Sequence, residues 1–306
     1  MLRITADIYS GRPNPVADID DEAEARAALR ELARDRDLLS GARSTEAQTG
    51  GLGLRGLWLE TFDDELARDF DVEPRVFLPA GAQAGRGRAA EVAERLIATA
   101  DWREAPETLT GEALPVEEDF REFLLGQLGG GRISATDQVG PAGGEQGEEG
   151  LSVTCQIEFA AFNPGFWNND PNVMAHNNCY NYASNWRTNT FAQPGRGCGN
   201  MYHQITCAEV GRGALCDGMH HRFDCFPDSE KPRCLVALVL IPGGRDYHWY
   251  RKQKEGFWGH KPGGTAARNY DNSGHVITNP ETADRGPYTI FCGYFYGCNS
   301  QRRRIN

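Results

Sequence analysis

The sequence of 306 residues predicts an α+β protein of two domains. Apolar residues recur at strand spacing in some segments and at helix spacing in others. Residues 129–150 are rich in glycine and glutamate, and all nine cysteines and all seven histidines lie at or after Cys155. A glycine-rich acidic stretch buries too little apolar surface to order itself. We therefore predict a small α+β domain of unknown role over residues 1–128, a flexible linker over 129–150, and a Cys/His-containing domain over 151–306.

The N-terminal domain is predicted to combine strands and helices. Every second residue between Leu2 and Ile8 is apolar, which indicates a strand with one buried face, and a proline-rich turn follows it. Asp21 and Glu24 form a capping box that predicts a helix ending near residue 35. The other predicted elements of this domain are strands over residues 54–60 and 75–78 and helices over residues 89–100 and 119–128.

The C-terminal domain is predicted to place a helix before an antiparallel sheet. Thr206 and Glu209 cap a helix that carries Cys216. The continuous apolar run over 234–241 predicts a strand buried on both faces. Two aromatic-rich runs on either side of residues 252–256 predict a hairpin. A turn over 271–274 and a closing strand over 288–296 complete the predicted sheet.

Cys179 is the candidate nucleophile of this domain. It follows two asparagines, which are favoured as helix caps, and Tyr182, Ala183 and Trp186 repeat after it at helical spacing. We therefore predict that Cys179 lies in the first turn of a helix. There the backbone N–H groups and the positive end of the helix macrodipole favour the thiolate over the thiol. The alternative is an inert buried thiol, because cysteine is among the most buried residue types.

His248 and His260 lie twelve residues apart across the predicted hairpin. If the turn centres on Lys254, the two histidines stand directly opposite each other, with Cβ atoms about 4.5–5.5 Å apart. One imidazole then accepts the thiol proton while the other orients it, which is the general arrangement of an activated nucleophile. The alternative is that both histidines are structural residues packed among the aromatic side chains of the hairpin.

A cysteine that opens a helix, followed by a sheet with one histidine at a strand start and a second twelve residues later, resembles the NlpC/P60 branch of the papain-like cysteine peptidases. The resemblance covers roughly residues 170–296, and Asn178-Cys179-Tyr180-Asn181 is similar to the related CHAP amidase group. It implies a papain-like C-terminal domain of bacterial type, with Cys179 as nucleophile, His248 as base and His260 as orienting group. It also implies a thiol protease or amidase that cleaves a peptide-like amide through an acyl-enzyme and needs no cofactor.

Several neighbouring residues are further site candidates. For oxyanion stabilisation or substrate binding they are Asn178, Tyr180, Asp246 and Lys261, and as alternative third residues they are Asn269 and Asp271. An acyltransferase on the same scaffold differs only in replacing water with an amine or alcohol. Two other classes stay open: a non-catalytic binding module, and a metal-stabilised domain that uses cysteines between Cys198 and Cys234 with His203 or His220.

Charge and hydropathy restrict the expected partners. The net charge of −11 argues against nucleic acid or an anionic membrane surface as a partner. The sequence contains no apolar run near the roughly 20 residues that span a bilayer, and its first residues do not form a signal peptide. We therefore expect a cytoplasmic protein with mostly reduced cysteines and a peptide or protein substrate. The N-terminal domain is a candidate for binding that substrate or a partner protein.

Overall fold

A computed structural model describes residues 1–41, 51–81, 84, 87–103, 119–130, 157–221 and 228–306. The chain forms two compact units: Met1–Tyr9 with Pro13–Ile133, and Ser10–Arg12 with Ser134–Asn306. The division after residue 133 lies within the predicted linker, most of which is outside the described residues. The start of that linker was predicted wrongly, because Leu128–Gly130 forms a 3-10 turn and the Gly129 N–H donates to the Ala80 carbonyl.

The first unit contains a five-stranded antiparallel sheet. Its strands are β1 (Leu2–Asp7), β2 (Val16–Ile19), β3 (Ser40–Gly41), β4 (Gly56–Thr61) and β5 (Arg75–Pro79), in the order β2-β1-β4-β5-β3. The alternation predicted for β1 is confirmed, because Leu2, Ile4 and Ala6 are all buried. The two strands that were not predicted, β2 and β3, have four and two residues, too few to give a periodic pattern.

In the described residues of this unit, the helices beside the sheet are α1 (Glu22–Arg34), α2 (Asp64–Phe70), α3 (Arg88–Thr99) and α4 (Phe120–Gln127). The predicted N-terminus of α1 is confirmed, because the Asp21 side chain accepts a hydrogen bond from the Glu24 N–H. Ala25 and Leu29 of α1 and Val92 of α3 lie in one buried apolar cluster with the strand residues. The helix-period and strand-period patterns therefore meet in a single core, as an α+β unit requires.

The second unit also combines helices with one antiparallel sheet. Its helices are α5 (Gly165–Asn168), α6 (Pro171–His176), α7 (Cys179–Ser184) and α8 (Cys207–Cys216). Its strands are β6 (His220–His221), β7 (Cys234–Leu240), β8 (Tyr247–Lys252), β9 (Trp258–His260) and β10 (Ile290–Gly297), in the order β6-β10-β7-β8-β9. The central strand β7 is buried almost throughout, as its apolar run predicted. The α+β class is thus confirmed for both units.

Two disulfides between described cysteines correct the expectation that the cysteines are mostly reduced. Cys198 is bonded to Cys216, and Cys207 at the start of α8 is bonded to Cys292 in β10. Cys179, Cys234 and Cys298 are unbridged and buried. Disulfides persist in oxidising compartments and are rare in the cytosol, so these two pairs argue against a cytoplasmic location. In the part of the chain that the structure describes, no helix is both long and apolar enough to cross a membrane.

The disulfides also engage most of the cysteines that were candidate metal ligands. Cys198, Cys207 and Cys216 are bonded to other sulfur atoms, and Cys225 lies outside the described residues. Among residues 1–41, 51–81, 84, 87–103, 119–130, 157–221 and 228–306, no group of three or more His, Cys, Asp or Glu side chains is arranged to hold a metal ion.

The two disulfides are expected to differ in their contribution to stability. They close segments with sequence separations of 18 and 85 residues. Loop-closure entropy makes the longer link more stabilising by about 1.4 kcal/mol. We therefore expect Cys207→Ser/Cys292→Ser to lower the free energy of unfolding more than Cys198→Ser/Cys216→Ser, measured by denaturant titration without reductant. Equal losses for the two double variants would contradict this expectation.

Candidate active site

Helix α7 begins at Cys179, as the sequence predicted. The Asn178 side-chain oxygen accepts hydrogen bonds from the Tyr180 and Asn181 N–H groups, and the Asn181 side chain accepts one from the Asn178 N–H. This is a capping box built from two asparagines. The helix ends after six residues at Asn185, which adopts a left-handed conformation. The polar caps therefore fix Cys179 at the first helical position.

The Cys179 sulfur lies against the backbone of β8 on both sides of His248. The thiol lies 4.0 Å from the Tyr247 carbonyl oxygen, and the Trp249 N–H donates to the sulfur. Tyr250↔His260 is the last pair that joins β8 to β9. Because backbone groups alternate between the two edges of a strand, the Tyr247 carbonyl and Trp249 N–H point to the edge that faces β9. The sulfur thus occupies this edge beyond the end of β9.

The prediction that the helix N-terminus makes Cys179 a resting thiolate is wrong. Burial raises the pKa of the Cys179 thiol well above its usual range, and the negative charge of Asp246 raises it further. The Trp249 N–H and the positive charge of Lys261 act in the opposite direction but do not compensate for the loss of water. A helix of six residues offers too little favourable charge to offset complete burial. The resting group is therefore a neutral thiol.

This raised pKa predicts a pH dependence of stability. A cysteine in the unfolded chain ionises near pH 8.5, whereas folded Cys179 keeps its proton at higher pH. Its contribution is therefore fully present below pH 8.5 and is lost as pH rises toward the folded pKa. We expect Cys179→Ser to reduce the loss of unfolding free energy above pH 8.5 by up to about 1.4 kcal/mol per pH unit. Denaturant titrations from pH 7 to 10 measure this slope, and equal slopes in both proteins would contradict the assignment.

The hairpin pairs in a register different from the predicted one. His260 stands opposite Tyr250, so the turn centres on Glu255 rather than on Lys254. The error is two residues, which preserves the face on which each side chain lies because the side-chain period of a strand is two. His248 and His260 are therefore diagonal neighbours on one face. Their rings meet, with His248 Nε2 and His260 Nδ1 2.8 Å apart.

The second nitrogen of His260 determines how the pair can share its protons. His260 Nε2 lies 3.1 Å from the Tyr270 carbonyl oxygen, which can only accept, and 3.2 Å from Arg268 Nε, which can only donate. These neighbours require opposite protonation of Nε2 in a neutral ring. When Nε2 donates to Tyr270, His260 Nδ1 accepts from His248 Nε2, and His248 Nδ1 becomes the basic nitrogen. Burial and the Arg268 charge lower the pKa of His260 well below its usual range, so this ring is neutral.

Aromatic side chains enclose the histidine pair. The His260 ring stacks on Tyr250, and the edges of Tyr250 and Tyr288 contact His248. Both histidines are fully buried. Helix α7 packs on the other face of β8, where the Tyr180 ring contacts Trp249. The Cys179 sulfur therefore lies at the strand edge, beside the backbone that carries His248.

Two predicted binding residues have structural roles instead. The Tyr180 hydroxyl donates to the Asp217 carboxylate at 2.9 Å, and burial raises the pKa of Asp217 to about 6. The Lys261 ammonium group is buried and donates to three backbone carbonyls, those of Met174, Asn177 and Gly263. Both polar groups are therefore engaged in structural contacts. Each was predicted as a binding residue only because it is close in sequence to a catalytic candidate.

Asp271 and Asn269, the alternative third residues, make hydrogen bonds with the loop that follows them. The Asp271 carboxylate accepts from the N–H groups of Ser273, His275 and Asp284, so it organises the following loop. Asn269 is half-buried, and its carbonyl accepts from the Ile277 N–H. Of the three candidates for the third residue, His260 is the one whose ring contacts the His248 ring in the described structure.

Asp246 and Asn178 contact the Ser10–Arg12 segment, which follows β1 and is predicted from the sequence to be a turn. The Asp246 carboxylate accepts from the N–H groups of Ser10, Gly11 and Arg12, which belong to the second unit. The Asn178 side chain donates to the Gly11 carbonyl. Gln193 also donates to this carbonyl, although no sequence pattern singled it out. The Pro13-Asn14-Pro15 run gave a signal for a rigid turn but none for its distant contacts.

A curated protein matches part of this chain. Insoluble matrix shell protein 1 from Ruditapes philippinarum is 50% identical over 133 residues, which are 44% of this chain and 86% of the relative. The chain belongs to the insoluble matrix shell protein 1 family. No family model and no solved structure matches it. The name of this relative specifies no chemical reaction.

Proposed function

We propose that this protein is a cysteine-nucleophile hydrolase, a peptidase or amidase of papain-like, NlpC/P60-type arrangement. The observation that carries the proposal is the buried contact of 2.8 Å between His248 Nε2 and His260 Nδ1. The Cys179 sulfur lies against the backbone of Tyr247 and Trp249, the two neighbours of His248 in β8, and this placement supports His248 as the base. The order of a cysteine-bearing helix followed by an antiparallel sheet with both histidines supports the papain-like assignment.

The proposed reaction begins from a neutral thiol. His248 Nδ1 removes the proton as the Cys179 sulfur attacks the substrate carbonyl carbon, because the buried thiol does not ionise at rest. The Cys179 N–H, at the start of α7, stabilises the negative oxygen of the tetrahedral intermediate. His248 then gives the proton to the leaving amine, and the carbon–nitrogen bond breaks. Water, activated by the same imidazole, releases the acyl group as a carboxylic acid and restores the thiol.

His260 holds His248 in the required orientation throughout this cycle. Its Nδ1 accepts from His248 Nε2, and its Nε2 donates to the Tyr270 carbonyl. This arrangement keeps the basic nitrogen of His248 at Nδ1 and stabilises the positive charge that develops on the ring. An acyltransferase would use the same first step and would replace water with an amine or alcohol.

The second candidate function is that of a non-catalytic matrix component. The relative from R. philippinarum favours it, since that protein is called an insoluble matrix shell protein. The buried and protonated state of Cys179 is also compatible with a purely structural thiol.

A burst experiment distinguishes the two candidates. Mixing the protein with excess p-nitrophenyl acetate is expected to release one equivalent of nitrophenol rapidly per chain, followed by slower turnover, because acylation precedes hydrolysis. Cys179→Ser should lose the burst, whereas Cys234→Ser, which alters another buried thiol, should retain it. A burst that survives in Cys179→Ser would favour the matrix component. So would the absence of a burst both in the native chain and in Gly11→Ala, which disturbs the segment bound by Asn178.

A further inference from the structure

Three consecutive backbone N–H groups of the Ser10–Arg12 segment converge on Asp246. Ser10 N lies 2.5 Å from Oδ2, Gly11 N lies 3.1 Å from Oδ1, and Arg12 N lies 3.0 Å from Oδ1. The Tyr288 hydroxyl donates to the same carboxylate at 2.5 Å. Asp246 is completely buried. A buried carboxylate requires such donors, and successive N–H groups form a concave anion-binding turn.

The Gly11 carbonyl is held by two side-chain amides. Asn178 Nδ2 lies 2.9 Å from it and Gln193 Nε2 lies 2.8 Å from it. The second N–H of each amide donates to a backbone carbonyl, that of Ala192 for Asn178 and that of Phe191 for Gln193. Both amides are therefore fixed in orientation, with one donor each directed at the same carbonyl oxygen.

The Tyr247 ring leaves room only for glycine at position 11. A Cβ atom built on Gly11 would lie 2.5–2.7 Å from three carbons of the Tyr247 ring. That separation is far below van der Waals contact, and the ring is completely buried. The Tyr247 hydroxyl lies 3.1 Å from the Gly11 carbonyl oxygen and 2.9 Å from Gln193 Oε1. Any other side chain at position 11 would displace the segment or the ring.

The residues that hold this segment adjoin the proposed catalytic residues. Asn178 immediately precedes Cys179, and Asp246 and Tyr247 immediately precede His248. We propose that Asn178, Gln193, Asp246 and Tyr247 form a peptide-binding subsite, here called the Gly11 subsite. It takes a Ser-Gly-Arg backbone turn with no side chain at its centre, and the chain's own Ser10–Arg12 segment occupies it as an internal ligand.

The inference rests on the proposed function in one respect. If Cys179 is a nucleophile, the Gly11 subsite defines the substrate class as peptides with a glycine at the bound carbonyl, and Ser10–Arg12 keeps such peptides out. The test of the subsite uses binding and thiol protection, neither of which requires turnover. Its failure is therefore distinguishable from failure of the hydrolase proposal.

Two substitutions in the segment itself are expected to release the internal ligand, and neither replaces a residue of the subsite. Gly11→Ala introduces the Cβ that clashes with Tyr247, and Ser10→Pro removes the N–H that donates to Asp246. In each full-length variant we expect iodoacetamide to alkylate Cys179 at least about tenfold faster than in the native chain, measured at each thiol by mass spectrometry. Alkylation of Cys234 should stay unchanged, because general unfolding would expose both buried thiols together.

The added peptide acetyl-Ser-Gly-Arg-Pro-Asn-Pro-amide should restore protection of Cys179 in both variants. In Gly11→Ala/Cys179→Ala, calorimetry should show this peptide binding at least about tenfold more tightly than its Ser-Ala-Arg counterpart. It should also raise the unfolding temperature of each variant. Equal acceleration at Cys179 and Cys234, or no preference for the glycine peptide, would overturn the subsite and leave Ser10–Arg12 as a structural anchor.

Discussion

Cys179→Ala is expected to reduce the hydrolysis of peptide amides by at least about 10³-fold, and His248→Ala by a similar factor. Nucleophile and base act as a unit, so the double variant should be no less active than either single variant. The rate is measured by release of aminomethylcoumarin from acyl-Ser-Gly-aminomethylcoumarin. The substrate carries glycine next to the scissile amide because Gly11 occupies the subsite beside Cys179.

Because Cys179 and His248 are both buried, the prediction needs controls for loss of stability. His248 is completely buried, so its replacement by alanine leaves a cavity, and His248→Gln tests the same step with more of the volume kept. Cys179→Ala removes only one sulfur atom, and its thermal unfolding should stay close to that of the native chain. Each rate is measured in the native chain and in Gly11→Ala, so that an occupied subsite does not hide the reaction. Losses that add in the double variant would contradict a shared mechanism.

His260→Ala is expected to lower kcat on the order of 10²-fold, less than loss of Cys179. The base His248 remains in this variant but samples unproductive rotamers and tautomers, because its Nε2 loses the partner at 2.8 Å. His260→Asn and His260→Gln carry an oxygen that can accept from His248 Nε2. Both should therefore recover more activity than His260→Ala, measured as kcat on the same substrate.

A spectroscopic readout separates this positioning role from a general loss of structure. With ¹⁵N-labelled histidine, the native protein should show protonated Nε2 and unprotonated Nδ1 in both buried rings, as donation to Tyr270 requires. His260→Asn should keep that state in His248. Protonation of His248 at Nδ1 would show that Arg268 donates to His260 instead, and equal activity of the alanine and asparagine variants would exclude the orienting role.

Periodicity made most of the fold predictable. The capping residues at Asp21 and Thr206 and the apolar run over 234–241 each led to an element that the structure contains. Short elements such as α5 and β6 have four and two residues and depend on tertiary contacts that leave no pattern. The disulfides were missed for another reason: thiol pairing depends on distances between distant segments, such as Cys207 and Cys292.

Local pattern predicted where Cys179, His248 and His260 lie in the fold, but it did not predict their electrostatic environment. The capping asparagines located Cys179, and the two-residue period kept His248 and His260 on one face although the register was wrong by two. The protonation of Cys179 could not be predicted, because it depends on burial and on the Asp246 charge. The contact of Asp246 with Ser10 joins positions 236 residues apart, which local pattern cannot reveal.

Covalent trapping is the most direct test of Cys179 as a nucleophile activated by His248. The native and Gly11→Ala proteins are mixed with an acyl-Ser-Gly thioester and quenched in acid within milliseconds, and the peptide that contains Cys179 is weighed. We expect the mass of one acyl group on Cys179, formed at least about 10²-fold more slowly in His248→Gln. An acyl group on Cys234 or Cys298 instead, no adduct in either protein, or an unchanged rate in His248→Gln would contradict the proposed mechanism.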